Sequence, residues 1–338
     1  MNWPKRIAVI FFALIITSAA IAVSKHRMAL VAAERSYQEY QVTSFNDFGS
    51  TQTLSVLPLI NWHASSGDYK SEQGVSYLIK TDTQTVLFDV GHNQEKTHPS
   101  PLEHNMKVAG VQLQDIDTIF ISHNHFDHVG GKKWMRENTF SLGNEQIDLT
   151  GKKVFTPTPM TYPGINPQYT PEPTIIGNGL ATTGTIARKL SIGPIDEQVL
   201  AINVKGKGIV LVVGCGHQTT AKTIERAQRL FKQPIYGVIG DLHYPVPDGR
   251  INIAGINAQK VFASGDGIFK PLTQEQINID IELLKSLNLN IMALGGHDSS
   301  DKVIEQFSQV FADNYRYVKA GQWISVAQTN NQQNVISN

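Results

Sequence analysis

The segment ISHNHFDHVGG at residues 121–131 limits the interpretation of this chain more than any other. Within six positions it places four potential metal ligands, which are His123, His125, Asp127 and His128. The segment follows the apolar run TIFI, which is typical of a buried strand. Imidazole and carboxylate groups at this density have little use in packing, but they are ligands that divalent metal ions prefer. Because the four groups would crowd one ion, the segment predicts a pair of adjacent metals.

Composition narrows the chemistry of this site. The chain has 338 residues, of which 41% are hydrophobic, as expected for a folded protein with a core. Lys plus Arg and Asp plus Glu both number 29, so the charge balance does not support nucleic-acid binding. The chain has eleven histidines but only one cysteine, Cys215. A single cysteine excludes a disulfide framework and a cysteine-based zinc finger. We expect Cys215 to be a small buried hydrophobic residue without a chemical role.

The N-terminus differs in character from the rest of the chain. Lys5 and Arg6 precede seventeen uncharged residues, 7–23, and the small residues of AIA at 20–22 could form a cleavage site. Residues 1–24 are therefore interpreted as a signal peptide or a retained membrane anchor, with a buried core helix as the third alternative. A signal peptide predicts an exported, soluble periplasmic protein, and a retained anchor predicts an exported protein anchored to the inner membrane.

The remaining chain is predicted to form one large α/β domain. Residues 25–50 are expected to be a helical spacer and linker, residues 51–328 the folded domain, and residues 329–338 a polar tail. Short apolar strands alternate with helices in two β-rich halves, which favours layers of helix, sheet, sheet and helix. Two irregular stretches, 157–173 with six prolines and 244–271, are expected to be surface loops that can cover a site.

The histidine segment resembles the hallmark of the metallo-β-lactamase superfamily, His-x-His-x-Asp-His after an apolar strand. Three further segments are similar to strands of that superfamily: TVLFDVG at 85–91, LVVGCGH at 211–217 and LGGHDSS at 294–300. The resemblance implies a four-layer αββα sandwich. It also implies that Asp89 orients a ligand imidazole.

Within the superfamily, the chain resembles the branch labelled 7,8-dihydropterin-6-methyl-4-(β-D-ribofuranosyl)aminobenzene-5'-phosphate synthase-like. The resemblance rests on TTG at 182–184, EQ at 197–198, GCGH at 214–217 and GDLH at 240–243. The synthase activity itself agrees poorly with export, because its substrates would be cytosolic metabolites. The likeness therefore indicates kinship in fold and site.

The superfamily resemblance implies two sets of metal ligands. They are His123, His125 and His217 for the first ion, and Asp127, His128 and His297 for the second. Asp241 is the candidate for a bridge between the ions, since a carboxylate can span two cations, and His243 is the alternative ligand. His63 and His92 are weaker candidates for contact with substrate.

These assignments predict a hydrolase. Two metals roughly 3.5–4 Å apart lower the pKa of a shared water, which can then attack an ester, amide or phosphodiester bond. Asp127 and Asp241 are the predicted catalytic residues, the substrate is expected to be a small molecule, and zinc is the expected metal, with iron or manganese as alternatives. An iron-dependent oxidoreductase and a non-catalytic metal-binding sensor remain as other readings. The oligomeric state is left open, and a membrane is a partner only if the N-terminal segment is uncleaved.

Overall fold

A computed structural model describes residues 3–327, so the predicted polar tail at 329–338 lies outside the described residues. The helices are α1 (Trp3–Glu39), α2 (Pro101–Val108), α3 (Lys132–Arg136), α4 (Thr220–Leu230), α5 (Ala258–Ala263), α6 (Gln274–Ser286) and α7 (Asp301–Phe311). The strands are β1 (Leu54–Ile60), β2 (Ser76–Thr81), β3 (Thr85–Phe88), β4 (Thr118–Phe120), β5 (Lys153–Thr156), β6 (Gln168–Tyr169), β7 (Thr174–Gly177), β8 (Leu180–Thr182), β9 (Ile186–Leu190), β10 (Gly193–Glu197), β11 (Leu200–Val204), β12 (Gly208–Val213), β13 (Ile235–Gly240), β14 (Asn252–Ile253), β15 (Ile256–Asn257), β16 (Ile291–Gly295), β17 (Tyr315–Val318) and β18 (Ile324–Ala327). Short 3₁₀ helices span Leu113–Asp115, Gly267–Phe269 and Ala312–Asn314.

Two large sheets form the centre of the molecule. In the described part of the chain each has seven strands, in the orders β18-β1-β2-β3-β4-β5-β6 and β17-β16-β13-β12-β11-β8-β7. An apolar core that includes Phe88, Phe120, Val212 and Ile239 fills the space between them. Strand β12, with the sequence GIVLVV, is buried throughout, because it is covered on both faces.

Helices cover the outer face of each sheet. Helices α4 and α7 are amphipathic and bury residues three or four apart, such as Ile224 and Ala227 in α4, against the second sheet. On the other side, Leu102 of α2 and Trp134 of α3 pack in the core on the outer face of the first sheet. The predicted four-layer αββα sandwich is therefore confirmed.

The order of the strands places the candidate site. Strands β12, β13 and β16 are parallel, so their carboxyl ends lie at one edge of the second sheet. In the first sheet β3 and β4 are also parallel, and their carboxyl ends lead to Asp89 and to the histidine segment. The loops after β4, β12, β13 and β16 carry the residues that the sequence singles out.

The N-terminal segment is one continuous helix rather than an apolar run followed by a separate spacer helix. Helix α1 extends over Trp3–Glu39, because no Gly or Pro interrupts its interior. Within the described residues, one stretch, Val9–Glu39, is long and apolar enough to cross a membrane. Its last turns are held by the body: the Tyr37 hydroxyl donates to Glu225 at 2.9 Å.

The two irregular stretches contain short regular elements that the sequence did not indicate. The proline-rich stretch 157–173 contains the two residues of β6, which pair with β5. The segment 244–271 contains β14, β15, α5 and a 3₁₀ helix. Pairing across a tight turn, as between β14 and β15, needs few residues and leaves little periodic signal in the sequence.

Candidate metal centre

Asp89 organises the first part of the site. One carboxylate oxygen accepts the backbone N–H of Ser122 at 2.7 Å, and the other accepts the Ser122 hydroxyl at 2.6 Å and contacts His128 Nδ1 at 2.7 Å. Burial by itself disfavours a charged imidazole, but the charge of Asp89 and its hydrogen bond outweigh burial and raise the pKa of His128 to about 9. Asp89 thus orients the His128 ring, as the resemblance implied.

The structure brings together both predicted ligand sets. Potential ligand atoms of His123, His125 and His217 lie within 4.8 Å of one another, and the same holds for Asp127, His128 and His297. The two sets are adjacent, since the rings of His123 and His128 are centred 4.1 Å apart. Three loops from two sheets therefore converge on one small volume.

Most imidazole nitrogens that face this volume have no hydrogen-bond partner within residues 3–327. They are His123 Nε2, both ring nitrogens of His217, His243 Nε2 and His297 Nε2. Burial, reinforced by the neighbouring histidines, lowers the pKa of His123 and of His217 well below the usual range, and burial lowers that of His125 to about 4. Burial therefore favours the neutral imidazole in His123, His125 and His217, which is the form that binds metal, so these donors fit a divalent ion.

His297 is held differently from the other rings. The backbone N–H of Gly74 donates to its Nδ1 at 2.9 Å, and its Nε2 lies 3.6 Å from Asp127 and 3.3 Å from Asp298. A neutral ring that accepts at Nδ1 carries its proton on Nε2. The bond from Gly74 therefore fixes the orientation of the ring and directs Nε2 toward the two carboxylates.

Asp241, the predicted bridging residue, is held by other residues of the protein, and its bridging role stays a prediction. Asp241 belongs to none of the candidate ligand groups within the described residues. Its carboxylate accepts from Asn61 and from the Tyr77 hydroxyl, both at 2.9 Å, and from the backbone N–H of His297 at 3.0 Å. With these three donors satisfied, Asp241 positions the His297 loop instead of facing the cluster.

Asp298 and His243 lie in a further group of candidate ligands and are alternatives to Asp241. A third candidate group consists of Cys215, His217, His243 and Asp298. Asp298 contacts His243 Nδ1 at 3.0 Å, and although burial disfavours its charge, His297 and His243 hold the pKa of Asp298 well below its usual range. The sequence analysis missed Asp298; its position directly after His297 at a strand end was the available signal.

Cys215 also lies in the cluster, where the sequence analysis expected only a buried hydrophobic side chain. It is buried, and its Sγ lies 3.1 Å from His128 Nε2 and donates to Asp298 at 2.8 Å. Burial, followed by the charge of Asp298, raises the pKa of this thiol well above the usual value. In the absence of a metal, Cys215 is therefore a neutral hydrogen-bond donor.

Glu197 and Gln198 fix the loops that carry the ligands. The Glu197 carboxylate accepts the backbone N–H groups of Cys215, Gly216 and His217 at 2.8–3.0 Å, and burial raises its pKa to about 7. The side chain of Gln198 donates to the carbonyl of Ile121 at the end of β4 at 2.9 Å. The pair EQ therefore ties the ends of β12 and β4 together.

A cavity of about 250 Å³ borders the cluster. Its polar wall includes Asp127 and Asp298, and its apolar wall is lined by Phe126, Met135, Ile192, Ile251 and Ala263. The segment 244–271 supplies part of this wall, and its Gln259 donates to Asp298. None of the cavity's described lining residues comes from the proline-rich stretch 157–173.

His63 and His92 lie outside this cavity lining. The His63 ring packs against Tyr317 and lies 3.5 Å from Asp301. The His92 ring packs against Phe126 with ring centres 4.7 Å apart, so it supports one wall of the cavity from behind.

Comparison with known proteins agrees with the fold and the site. The profile of the metallo-beta-lactamase superfamily matches residues 70–140, which include the histidine segment. Tm1679, described as a metal-dependent hydrolase of the beta-lactamase superfamily, aligns with a TM-score of 0.55 at 18% identity over 81% of this chain and all of that one. The chain has the fold of the metallo-β-lactamase superfamily and is similar to that superfamily over residues 70–140, so the resemblance recognised from sequence is confirmed.

Among curated proteins, two relatives are informative. The chain is 25% identical over 265 residues to the 7,8-dihydropterin-6-methyl-4-(beta-D-ribofuranosyl)-aminobenzene-5'-phosphate synthase of Methanocaldococcus jannaschii, covering 63% of this chain and 85% of that protein. It is 36% identical over 70 residues to the anti-Pycsar protein Apyc1 of Bacillus phage BSP38, covering 20% of this chain and 24% of that protein. The first likeness agrees with the branch identified from sequence.

Proposed function

We propose that the protein is a metal-dependent hydrolase that holds two divalent ions, zinc in the first instance, and cleaves an ester, amide or phosphodiester-type bond of a small molecule. The observation that carries this proposal is the convergence of buried imidazole nitrogens without hydrogen-bond partners next to the carboxylates of Asp127 and Asp298. Superfamily membership and the adjoining cavity support it.

The side chains of the cluster have distinct roles in this proposal. When bound, divalent ions activate water as a nucleophile and polarise the bond that it attacks. Asp127 and Asp298 line the cavity and can orient that water and accept its proton. Asp89 keeps the His128 ring in place through Nδ1, and Asp241 positions His297 through its backbone N–H.

The cavity supports a substrate with an apolar part next to its scissile bond. Phe126, Met135, Ile192 and Ile251 form an apolar wall beside the carboxylates. A site of this composition binds a small organic molecule by burial of apolar surface and orients it with a few polar groups.

Metal analysis and turnover test this function together. We expect purified protein to contain zinc by mass spectrometry and to hydrolyse a nitrophenyl ester or bis(nitrophenyl) phosphate, with activity lost to a chelator and restored by Zn²⁺. His123→Ala should abolish both metal and turnover, whereas His98→Ala, a matched change at an exposed histidine, should alter neither. Bound iron with redox activity would favour the oxidoreductase, and bound metal without any turnover the sensor.

The curated relative named as a synthase supports a second candidate, a reaction that builds a product rather than cleaving a bond. It shares 25% identity over most of its own length. Product analysis by mass spectrometry distinguishes the two, because hydrolysis adds the elements of water to the substrate.

We also propose that the chain is exported and stays attached to the inner membrane through α1. The basic lead at Lys5 and Arg6 and the uncharged stretch that follows support this location. Carbonate extraction of membranes, combined with the mass of the mature chain, tests it: an anchored protein stays in the membrane pellet at full length, and a cleaved one is released without its first residues.

A further inference from the structure

Among the described side chains of helix α1, only those in its second half contact the body of the protein. Residues 9–22 are exposed along their whole length and include Phe11, Phe12 and Leu14. From Val23 onward, a partly or fully buried side chain occurs every three or four residues, and the last of them is Tyr37. The apolar half of the helix therefore leaves the body at Val23 to His26.

A short apolar surface of the body lies at this exit point. The ring of Phe269 is centred 6.1 Å from the ring of His26, and the Arg27 guanidinium lies 5.9 Å from the Phe269 ring centre. Ile268 and Phe269, neighbours in one 3₁₀ helix, are each 51% exposed. Two adjacent large apolar side chains therefore face solvent next to the exposed half of α1.

Charge surrounds this pair in a way that suits a lipid surface. Lys25 and Arg27 are exposed on α1, and the side chain of Lys270 is 82% exposed directly after Phe269. Aromatic and aliphatic side chains flanked by Lys and Arg are typical of segments that lie in the headgroup region, where the cations meet anionic lipids.

Helix α1 also determines the depth at which Ile268 and Phe269 would lie relative to a membrane. The uncharged run ends at Val23, three residues before His26, and each residue of a helix adds about 1.5 Å, so His26 lies about 4.5 Å beyond the end of the run. If residues 7–23 span the hydrocarbon core, Phe269 lies at the level of the lipid headgroups.

We propose that Arg27, Ile268, Phe269 and Lys270 form a docking surface, here called the 268–270 surface, that rests on the headgroups of an anionic lipid bilayer. The proposal depends on retention of α1 as a membrane anchor, and it does not depend on the reaction at the metal centre.

The docking surface also adjoins a cavity that residues of the metal centre line. A cavity of about 270 Å³ is lined both by Asp266 and Lys270, next to the docking surface, and by His217 and His243 of the cluster. A bilayer against the 268–270 surface therefore places this cavity at the membrane surface, where amphiphilic molecules are concentrated.

Site-directed spin labelling of the full-length chain tests the docking. Cys215 is buried, so a cysteine introduced on the surface becomes the reactive thiol for the label. Ile268→Cys and Phe269→Cys report on the surface. Val108→Cys, on α2 in the opposite outer layer and 41% exposed, is the matched control. Each labelled protein is reconstituted into phosphatidylglycerol-containing liposomes.

We expect labels at 268 and 269 to become severalfold less accessible to a water-soluble relaxing agent, and more accessible to oxygen, in liposomes than in lipid-free protein. The label at 108 should not change. Labels at 268 and 269 that remain as accessible as the label at 108 would overturn the proposal, as would protein that fails to float with the liposomes. Shielding that is already complete in lipid-free protein would indicate a second copy of the chain and would also overturn it. Failure of the hydrolase assays would leave these labelling results unchanged.

Discussion

At the scale of single residues, the different surroundings of two carboxylates bear most directly on the metal centre. Asp241 and Asp298 are both buried, and both follow strands of the second sheet. Asp241 is enclosed by donors from Asn61, Tyr77 and the His297 backbone, whereas Asp298 faces His243 and Cys215. Both carboxylates accept hydrogen bonds, but within the described residues only Asp298 shares a candidate ligand group with His217 and His243.

The two carboxylates should therefore respond differently to the same change. Asp298→Asn is expected to weaken metal affinity by roughly 10- to 100-fold, the range typical of groups that bind or orient ligands. Asp241→Asn should keep the metal but lower the free energy of unfolding by about 1–3 kcal/mol, because an amide NH₂ would face a donor. Metal titration and chemical unfolding of both variants check this. Loss of metal in Asp241→Asn alone would restore the bridging role to Asp241.

A second residue-scale prediction concerns pH. Burial raises the pKa of Asp280, whose carboxylate accepts from the Tyr244 hydroxyl at 3.1 Å, to about 6. A carboxyl whose pKa is raised on folding stabilises the protein below its unfolded pKa of about 3.8, and that stability is lost as pH rises through about 6. Relative to Asp280→Asn, the wild-type protein should therefore lose about 2–3 kcal/mol between pH 3.8 and 6.

Denaturant unfolding of both proteins across this pH range measures the difference. The variant is the control, since it keeps a hydrogen-bonding group but cannot ionise. A difference between the two proteins that is constant with pH would contradict the prediction.

At the scale of elements, the beginning of α4 is under strain. Thr219, its N-cap, has φ +79° and ψ 146°, a backbone conformation that a β-branched residue rarely adopts, and its side chain caps the helix only through a 3.4 Å bond to the N–H of Lys222. The strain falls two residues after His217. It is compatible with a backbone that is constrained to present that histidine.

Substitutions at Thr219 should separate strain from capping. Thr219→Gly relieves the strain. Once the entropic cost of glycine is subtracted, we expect it to raise the free energy of unfolding by about 1 kcal/mol. Thr219→Ala keeps the strain and loses the cap, so it should lower that free energy by about 1 kcal/mol. Thermal or urea unfolding gives the sign of each change. Effects of the same sign would show that Thr219 is not strained.

At the scale of the whole molecule, α1 divides into an apolar half that stands free and a second half that belongs to the body. Tyr37 donates to Glu225, and the ammonium of Lys222 donates to Glu34 at 2.6 Å, so the second half packs on α4. The predicted boundary near residue 24 thus falls inside one continuous helix.

Truncation tests this division. A chain that begins at residue 23 should have the same unfolding free energy as the full protein, because residues 9–22 are exposed. A chain that begins at residue 41 should lose at least about 2 kcal/mol, since it gives up the burial of Tyr37 and its hydrogen bond. Equal stability of the two truncated chains would contradict the proposed role of the second half.

Several features of this protein could be predicted from local sequence alone. Strand β1 and helices α6 and α7 coincide with apolar patterns in the sequence, and His123, His125, Asp127 and His128 lie in one short loop. Such features depend on neighbours within a few residues, which periodicity reports directly. The short strands β7 to β10 left no such pattern, because their stability comes from pairing and burial in the tertiary structure.

The sequence therefore predicted the imidazole and carboxylate donors, through one dense motif and histidines at strand ends, but not the thiol of Cys215 beside them. Only the tertiary structure brought Cys215, His243 and Asp298 together, and only it placed Phe269 beside the exposed half of α1. The physical reason is distance along the chain. Residues such as Asp89, Cys215 and Asp298 meet because two sheets pack face to face, and no local pattern records which side of a strand end each side chain will face.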